Sequence, residues 1–258
     1  MLRAVIVGIN CYKDESITDL RWARRDAEEL AAAINTRIES AERYVRLLVD
    51  EEATKTAILK AIGEELPRLE SPKDLILLYF AGHGTPELAG SPDTSSRYLV
   101  AHDTEYDSVF ATGIDMENDL KRLLERLHKA GVVVIILDAC FSGLAGGRTF
   151  RGPKLQQTIQ ENRSQLITLK DLSLGEGRVI IAACKDNQVA REKNELKHGL
   201  FTHHLMEIIG QPEGGATVTL ALLYDQILHR VEEASLGRQT PVLKGELAGA
   251  RLPRLPAS

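Results

Sequence analysis

Residues 132–143 read VVVIILDACFSG, and this stretch decides the kind of fold that the chain adopts. It opens with six apolar, mostly β-branched residues, a run typical of a parallel strand that is covered on both faces. The run then ends in an aspartate and, two residues later, a cysteine. Because buried strands rarely end in an acid and a thiol, Asp138 and Cys140 are candidates for a functional site at the carboxyl end of this strand.

Strands and helices alternate on both sides of this stretch. Apolar runs predict the strands, and apolar residues at helical spacing predict the helices. The predicted strands are 3–9, 45–49, 74–81, 98–101 and 179–183, with a final extended segment at 239–245; the predicted helices are 19–34, one capped by Thr54, 116–129, 199–209 and 217–234. The alternation favours an α/β fold with one doubly wound, mostly parallel sheet. Two stretches without periodicity, 85–96 and 144–176, predict a surface loop and an exposed, mobile linker.

The composition is that of an ordinary soluble globular protein, with 43% hydrophobic and 27% charged residues in a chain of 258. A net charge of -5 gives no reason to expect nucleic-acid or anionic-membrane binding. The three cysteines are too few and too far apart for a disulfide framework or a zinc site, which favours a reducing compartment. Since no apolar run is long enough for a signal peptide or a membrane span, we expect a cytoplasmic protein.

A second strand end carries a reactive side chain. Residues 80–85 read FAGHGT and place His83 between two glycines, just after the predicted strand 74–81. A thiol needs a nearby base to become a nucleophile, and an imidazole at an adjacent strand end can supply it. The backbone N–H groups of Gly84 and Cys140 can then stabilise an oxyanion. Asp138 projects to the same side as Cys140 and can select a cationic substrate group.

Each of these residues, taken alone, also has a purely structural interpretation. A cysteine in a strand is usually a small buried hydrophobe, which is the favoured interpretation for Cys11 and Cys184. A histidine between glycines can be a satisfied turn residue, and His203 and His204 are more typical of surface or packing positions than of metal ligands. Together, however, Gly-His-Gly and Asp-x-Cys at two strand ends favour a catalytic site.

These motifs resemble those of a known family. AVIVGIN, LRWARRDAEEL, LILLYFAGHG, YLVAHD, VVVIILDACFSG, IAACKDNQVA, HGLFTHHLMEII and RQTPVLKG are similar, in this order, to segments of the caspase-like cysteine peptidases, most of all the metacaspase and orthocaspase branch. The resemblance implies a caspase–haemoglobinase-like sheet of six strands flanked by helices, and His83 and Cys140 as the catalytic dyad. It also implies a single peptidase domain over 1–258, as a bare catalytic core of the bacterial type: a large-subunit-like part (1–143), a linker (144–176) and a small-subunit-like part (177–258).

The resemblance also bears on specificity. Caspases proper have glutamine two residues before the cysteine and cleave after aspartate, whereas this chain has Asp138 there. Asp26 stands where metacaspases carry a second acid of the S1 pocket, which binds the residue before the cleaved bond (P1). Asp186 is a candidate third contributor. The alternatives are a solvated helix acid for Asp26 and a turn or cap residue for Asp186. Two carboxylates in one cleft suit arginine or lysine, so we predict cleavage of protein or peptide substrates after Arg or Lys.

Three further expectations follow from the family. Metacaspases often need calcium, and the candidate ligands here are Asp103, Asp107, Asp115 and Glu117, although a charged surface loop explains them equally well. Family members are commonly cut in the linker, where an enzyme specific for basic residues can cut itself at one of several sites (Arg148, Arg151, Lys154, Arg163 or Lys170). An activating or inhibitory partner protein would make the enzyme a regulated effector; the alternative is a catalytically silent interaction module.

Overall fold

The structure, a computed structural model, describes residues 1–86, 96–141, 148, 174, 176–211, 217–245 and 251–253. In chain order the strands are β1 (Leu2–Gly8), β2 (Arg43–Val49), β3 (Leu75–Ala81), β4 (Gly84–Pro86), β5 (Arg97–Leu99), β6 (Ile114–Asp115), β7 (Val132–Asp138), β8 (Arg178–Ala182), β9 (Glu192–Lys193), β10 (His198–Gly199), β11 (Thr217–Thr219), β12 (Val242–Gly245) and β13 (Arg251–Pro253). The helices are α1 (Ala23–Arg37), α2 (Lys55–Lys60), α3 (Leu66–Leu69), α4 (Val109–Thr112), α5 (Asn118–Arg126), α6 (Leu200–Ile209) and α7 (Leu220–Ser235). A wider π-helical turn, Ala61–Glu65, joins α2 to α3.

Six of these strands form the central sheet, in the order β12-β8-β7-β3-β1-β2. Neighbours from β2 to β8 run parallel, and β12 pairs with β8 in the antiparallel direction. The predicted α/β fold with a six-stranded, mostly parallel sheet is therefore confirmed.

Alternate residues of the central strands enter two different cores, one on each face of the sheet. In β1, Val5 and Val7 pack in the core that also contains the buried side chains of α2 and α5. Ala4 and Ile6 enter the opposite core, with those of α1, α6 and α7. Burial on both faces explains the unbroken apolar runs, since each enclosed aliphatic side chain contributes about 1.5–3 kcal/mol to stability.

Element boundaries show where tertiary contacts override local pattern. The first helix begins at Ala23, four residues later than predicted, because the N–H groups of Arg21 and Trp22 donate to the Glu192 carboxylate at 3.1 and 2.9 Å. Residues 217–219 are a strand paired with β13, and α7 begins only at Leu220. The predicted cap of α2 is confirmed, since Thr54 Oγ1 accepts the N–H of Ala57 at 3.2 Å.

The sheet brings the two predicted reactive strand ends together. β3 and β7 are neighbours, and their register pairs Ala81 with Asp138. His83 and Cys140 each follow two residues after this pair, so both leave the sheet at the same carboxyl edge. Among the residues described, no helix is both long and apolar enough to cross a membrane.

Candidate active site

His83 is buried and held from two sides. Its backbone N–H donates to the Tyr12 hydroxyl at 2.8 Å, and the two rings stack with centroids 5.0 Å apart. Its Nε2 lies 2.6 Å from the carbonyl oxygen of Thr18. Because a carbonyl only accepts hydrogen bonds, Nε2 carries a hydrogen, and Nδ1 is left as the proton-accepting nitrogen of the neutral ring.

The charge state of His83 follows from its surroundings. Burial lowers the pKa of His83, while interactions of its ring with the backbones of Thr18 and Arg148 oppose that shift. A lowered pKa keeps the imidazole neutral near neutral pH, and the neutral ring is the form that can take a proton from a thiol.

Cys140 is fully buried, and its Sγ donates to the carbonyl oxygen of Gln188 at 2.7 Å. The Cys184 thiol contacts the same oxygen at 3.6 Å. A hydrogen bond with Cys140 and burial raise the pKa of Cys184, so this second thiol stays protonated. The burial predicted for Cys184 is confirmed, whereas that predicted for Cys11 is wrong: Cys11 is exposed, because it follows β1 in a surface turn.

The two predicted oxyanion donors point at one oxygen. The N–H groups of Gly84 and Cys140 both donate to the carbonyl oxygen of Arg148, each at 3.3 Å. A side chain at position 84 would not fit, since a Cβ there would lie 2.8 Å from the carbonyl oxygen of Cys140. The backbone N–H of Arg148 in turn donates to the carbonyl oxygen of Ala190 at 3.0 Å. Arg148 is thus held on both sides of its α-carbon.

The side chain of Arg148 is completely buried among three carboxylates, which we call the acidic pocket (Asp26, Asp138 and Glu192). One terminal nitrogen, Nη1, lies 2.9 Å from Asp138 Oδ2 and 3.1 Å from the Asp138 carbonyl oxygen. The other, Nη2, contacts Asp26 Oδ2 and lies 3.4 Å from Glu192 Oε1. The planar guanidinium therefore contacts acids from different elements at the same time. The compact ammonium group of a lysine does not match this arrangement.

Further hydrogen bonds orient the acids. Asp26 accepts from His198 Nδ1 at 2.6 Å and from the N–H of Gly199 at 3.0 Å. The Thr202 hydroxyl donates to Asp138 Oδ2 at 2.6 Å. Burial raises the pKa of Asp138 to about 6, and the Arg148 cation opposes the rise.

Part of this pocket is predictable from the sequence. Asp26 and Asp138 lie together as predicted, whereas the ion pair of Asp186 is with Arg97, at 3.2 Å, so the structure places Asp186 in a different interaction. Glu192 and the orienting residues His198 and Thr202 were not anticipated. Glu192 lies in a charged stretch, AREKNELKHG, where no spacing distinguishes it from its neighbours.

The calcium candidates do not form a group of ligands. Asp103 Oδ1 accepts the N–H of Lys55 at 2.7 Å, and Asp115 Oδ1 caps the N–H groups of Glu117 and Asn118 at 2.7 and 2.9 Å. Over the described ranges, the one set of three side chains with ligand atoms within 4.8 Å of one another is His203, His204 and Glu207. Glu207 there also pairs with Arg230 at 3.2 Å. The predicted acids therefore do not fit a calcium site.

Comparison with known proteins identifies the family. The family model for the caspase domain matches residues 1–250. Protein GSU0716 from Geobacter sulfurreducens, known from its crystal structure, is similar in fold, with a TM-score of 0.67 and 20% sequence identity over 95% of this chain and 94% of that one. No curated protein matches the sequence. The chain belongs to the caspase-domain family of cysteine peptidases.

Proposed function

We propose that this protein is a cysteine endopeptidase that cleaves after Arg or Lys with His83 and Cys140 as its dyad, and that its own Arg148–Thr149 bond is a substrate. The position of Arg148 is the observation that carries this proposal. Its side chain fills the acidic pocket, while its carbonyl oxygen accepts from Gly84 and Cys140 N–H. A P1 residue needs both placements at once, and the acidic pocket then acts as the S1 pocket.

The reaction starts when the Cys140 thiol leaves the carbonyl oxygen of Gln188 and gives its proton to His83 Nδ1. The thiolate attacks the carbonyl carbon of the P1 residue, and the oxygen becomes an oxyanion held by the N–H groups of Gly84 and Cys140. When the C–N bond breaks, the leaving amine takes the proton from His83. Water, deprotonated by His83, then hydrolyses the thioester and restores the Cys140 thiol.

Self-cleavage also implies regulation of the enzyme. While Arg148 fills the acidic pocket, another chain cannot place its own P1 residue there. Cleavage after Arg148 frees the preceding segment from the rest of the linker and lets it leave the pocket. An activating or inhibitory partner would act at the same step, by removing or retaining Arg148. Most of the predicted linker, 144–176, lies outside the described residues, so the other candidate cleavage sites stay predictions.

The mass spectrum of the purified, incubated protein tests this proposal. We expect fragments 1–148 and 149–258 from the wild type and an intact chain from Cys140→Ala. Arg148→Gln should remove this cleavage, whereas the matched change Arg151→Gln should not. A protein that stays intact in all variants and also cleaves no Arg or Lys peptide would contradict the proposal.

The alternative is a catalytically silent module that binds a partner. Such a module needs neither a neutral imidazole and a buried thiol at the same edge of the sheet nor two N–H groups aimed at one carbonyl oxygen. An Arg-based covalent probe separates the two functions, since only a working nucleophile becomes labelled. Labelling of Cys140, abolished by His83→Ala, supports the peptidase.

A further inference from the structure

The dipeptide His198–Gly199, strand β10, borders the acidic pocket opposite the catalytic strand ends. Gly199 lies directly against the guanidinium of Arg148. A Cβ added at this position would be 2.7 Å from Nη2 and 2.9 Å from Cζ of Arg148, and 2.7 Å from Asp138 Oδ2. Cβ atoms essentially never lie within 3.0 Å of another non-bonded heavy atom, so a methyl group here would take space that the guanidinium and the Asp138 carboxylate occupy.

Backbone conformation does not explain this glycine. Gly199 has φ of -62° and ψ of 138°, which every residue adopts readily. A glycine that the backbone does not require is there because of its neighbours, and here those are the guanidinium and Asp138. This separates Gly199 from glycines that serve a turn.

The same dipeptide holds Asp26 in place. The Gly199 N–H donates to Oδ2 of Asp26 at 3.0 Å and lies 3.3 Å from Oδ1, and His198 Nδ1 lies 2.6 Å from Oδ1. On its other side, His198 Nε2 faces Glu29 Oε2 at 3.2 Å, and the ring of His203 lies 6.0 Å away, centroid to centroid. Asp26 is thereby fixed with Oδ2 toward Nη2 of the bound arginine.

We propose that His198 and Gly199 determine the specificity of the acidic pocket for arginine over lysine. Gly199 leaves room for the end of the guanidinium, and His198 is a positioning residue that aims Asp26 at Nη2. This inference rests on the proposed peptidase function. A lysine has a single nitrogen at the place of Cζ, so it cannot reach Asp138 from one side and Asp26 and Glu192 from the other.

Alanine at position 199 should therefore reduce cleavage after arginine more than cleavage after lysine. Two atoms lie nearest to the added Cβ, both at 2.7 Å: Nη2 of the arginine, which lysine lacks, and Asp138 Oδ2, which would contact either residue. One methyl group in a tight specificity pocket changes discrimination by about 10- to 200-fold. We expect Gly199→Ala to lower kcat/KM for an Arg peptide by about 100-fold and for the matching Lys peptide by about 10-fold or less, so that the Arg:Lys ratio falls by about tenfold.

The experiment measures kcat and KM of the full chain on two peptides that differ only in Arg or Lys at P1. Gly210→Ala is the matched control. Gly210 ends α6 with φ of -80° and ψ of -11°, a backbone conformation that alanine also adopts readily. An unchanged Arg:Lys ratio in Gly199→Ala overturns the inference. A wild type that cleaves neither peptide, but does cleave another, overturns the proposed function instead.

The melting temperature of Gly199→Ala shows whether this variant folds. If it does not fold, variants of His198 test the inference instead. His198→Ala removes the donor to Asp26 and should raise KM for the Arg peptide by about tenfold with little change in kcat. His198→Asn retains an N–H donor and should recover part of that loss. A merely structural role would lower kcat and stability without this KM effect or its recovery, and that result would also overturn the inference.

Discussion

The proposed dyad and the acidic pocket both lie at the carboxyl end of β7, but the chain builds them by different means. His83 and Cys140 each stand two residues beyond the Ala81–Asp138 pair of two neighbouring strands, so the sheet register alone brings them together. The three carboxylates of the acidic pocket come from α1, the end of β7 and β9, while β10 orients Asp26 and Arg148 comes from the linker. The proposed catalytic residues are therefore placed by the register of one strand pair, whereas the pocket proposed to bind P1 depends on contacts among several distant segments.

This difference predicts that the dyad tolerates no substitution. Cys140→Ala removes the nucleophile and His83→Ala removes the base, and each should lower kcat on Arg peptides by at least about 1,000-fold. The double variant should be hardly worse than either single one, because the two residues act as a unit. Steady-state kinetics on purified, folded variants check this. Retention of more than about a tenth of the activity by either variant would separate the dyad from the reaction.

The same difference explains what could be predicted from the sequence. The strands, the sheet and the paired motifs around His83 and Cys140 can be predicted because each depends on a short run of residues. The place of Asp138 in the site can be predicted because it lies two residues before Cys140. The place of Glu192 is not predictable in this way, because its carboxylate is held by the N–H groups of Arg21 and Trp22, which are far away in the sequence. The linker was expected to be exposed, yet Arg148 is buried, since three acids compensate its charge.

Removal of one carboxylate from the acidic pocket should have the next largest effect. Asp26→Asn leaves a buried guanidinium with less compensating charge, and the loss of one partner of a buried ion pair costs about 3–5 kcal/mol. We expect kcat/KM for Arg peptides to fall by about 100-fold or more, and self-cleavage to slow similarly. Asp225→Asn, on an exposed position of α7, is the matched control.

The same substitution at Asp186 provides a comparison with Asp26→Asn. Because its ion pair is with Arg97, Asp186→Asn should cost much less than Asp26→Asn, within about threefold of the wild type. An equal loss in the two variants would return Asp186 to the pocket as a third contributor and would contradict the assignment of that place to Glu192.

A change of pH should affect the cleavage of Arg peptides less than the loss of Asp26 does, and the change should appear in KM. The pKa of Asp138 is about 6 with Arg148 bound, and because the cation lowers it, the pKa is higher when the pocket is empty. Binding of a P1 arginine is therefore linked to loss of a proton. As pH falls through the range between the two pKa values, KM for Arg peptides should rise by at most about tenfold per pH unit. The total rise, complete below about pH 6, is about tenfold for each unit by which the two pKa values differ.

Asp138→Asn provides the control for this pH effect, since its KM should no longer follow pH in this range. Protonation of His83, whose pKa burial lowers, should instead reduce kcat at more acidic pH. A KM that does not change with pH in the wild type would contradict the linkage through Asp138.

The smallest effect should come from Thr202, which lies one step behind the pocket. Its hydroxyl donates to Asp138 Oδ2 and lies 2.6 Å from the Tyr79 hydroxyl, so it fixes the carboxylate that Nη1 of arginine contacts. Thr202→Val keeps the shape but loses this hydrogen bond, which is worth about 0.5–1.5 kcal/mol, or roughly 2- to 12-fold in KM for Arg peptides. Thr202→Ser restores the hydroxyl and should restore KM. If valine and serine lowered activity equally, the side chain would matter for packing in the core beneath the pocket, and the orientation of Asp138 would not depend on it.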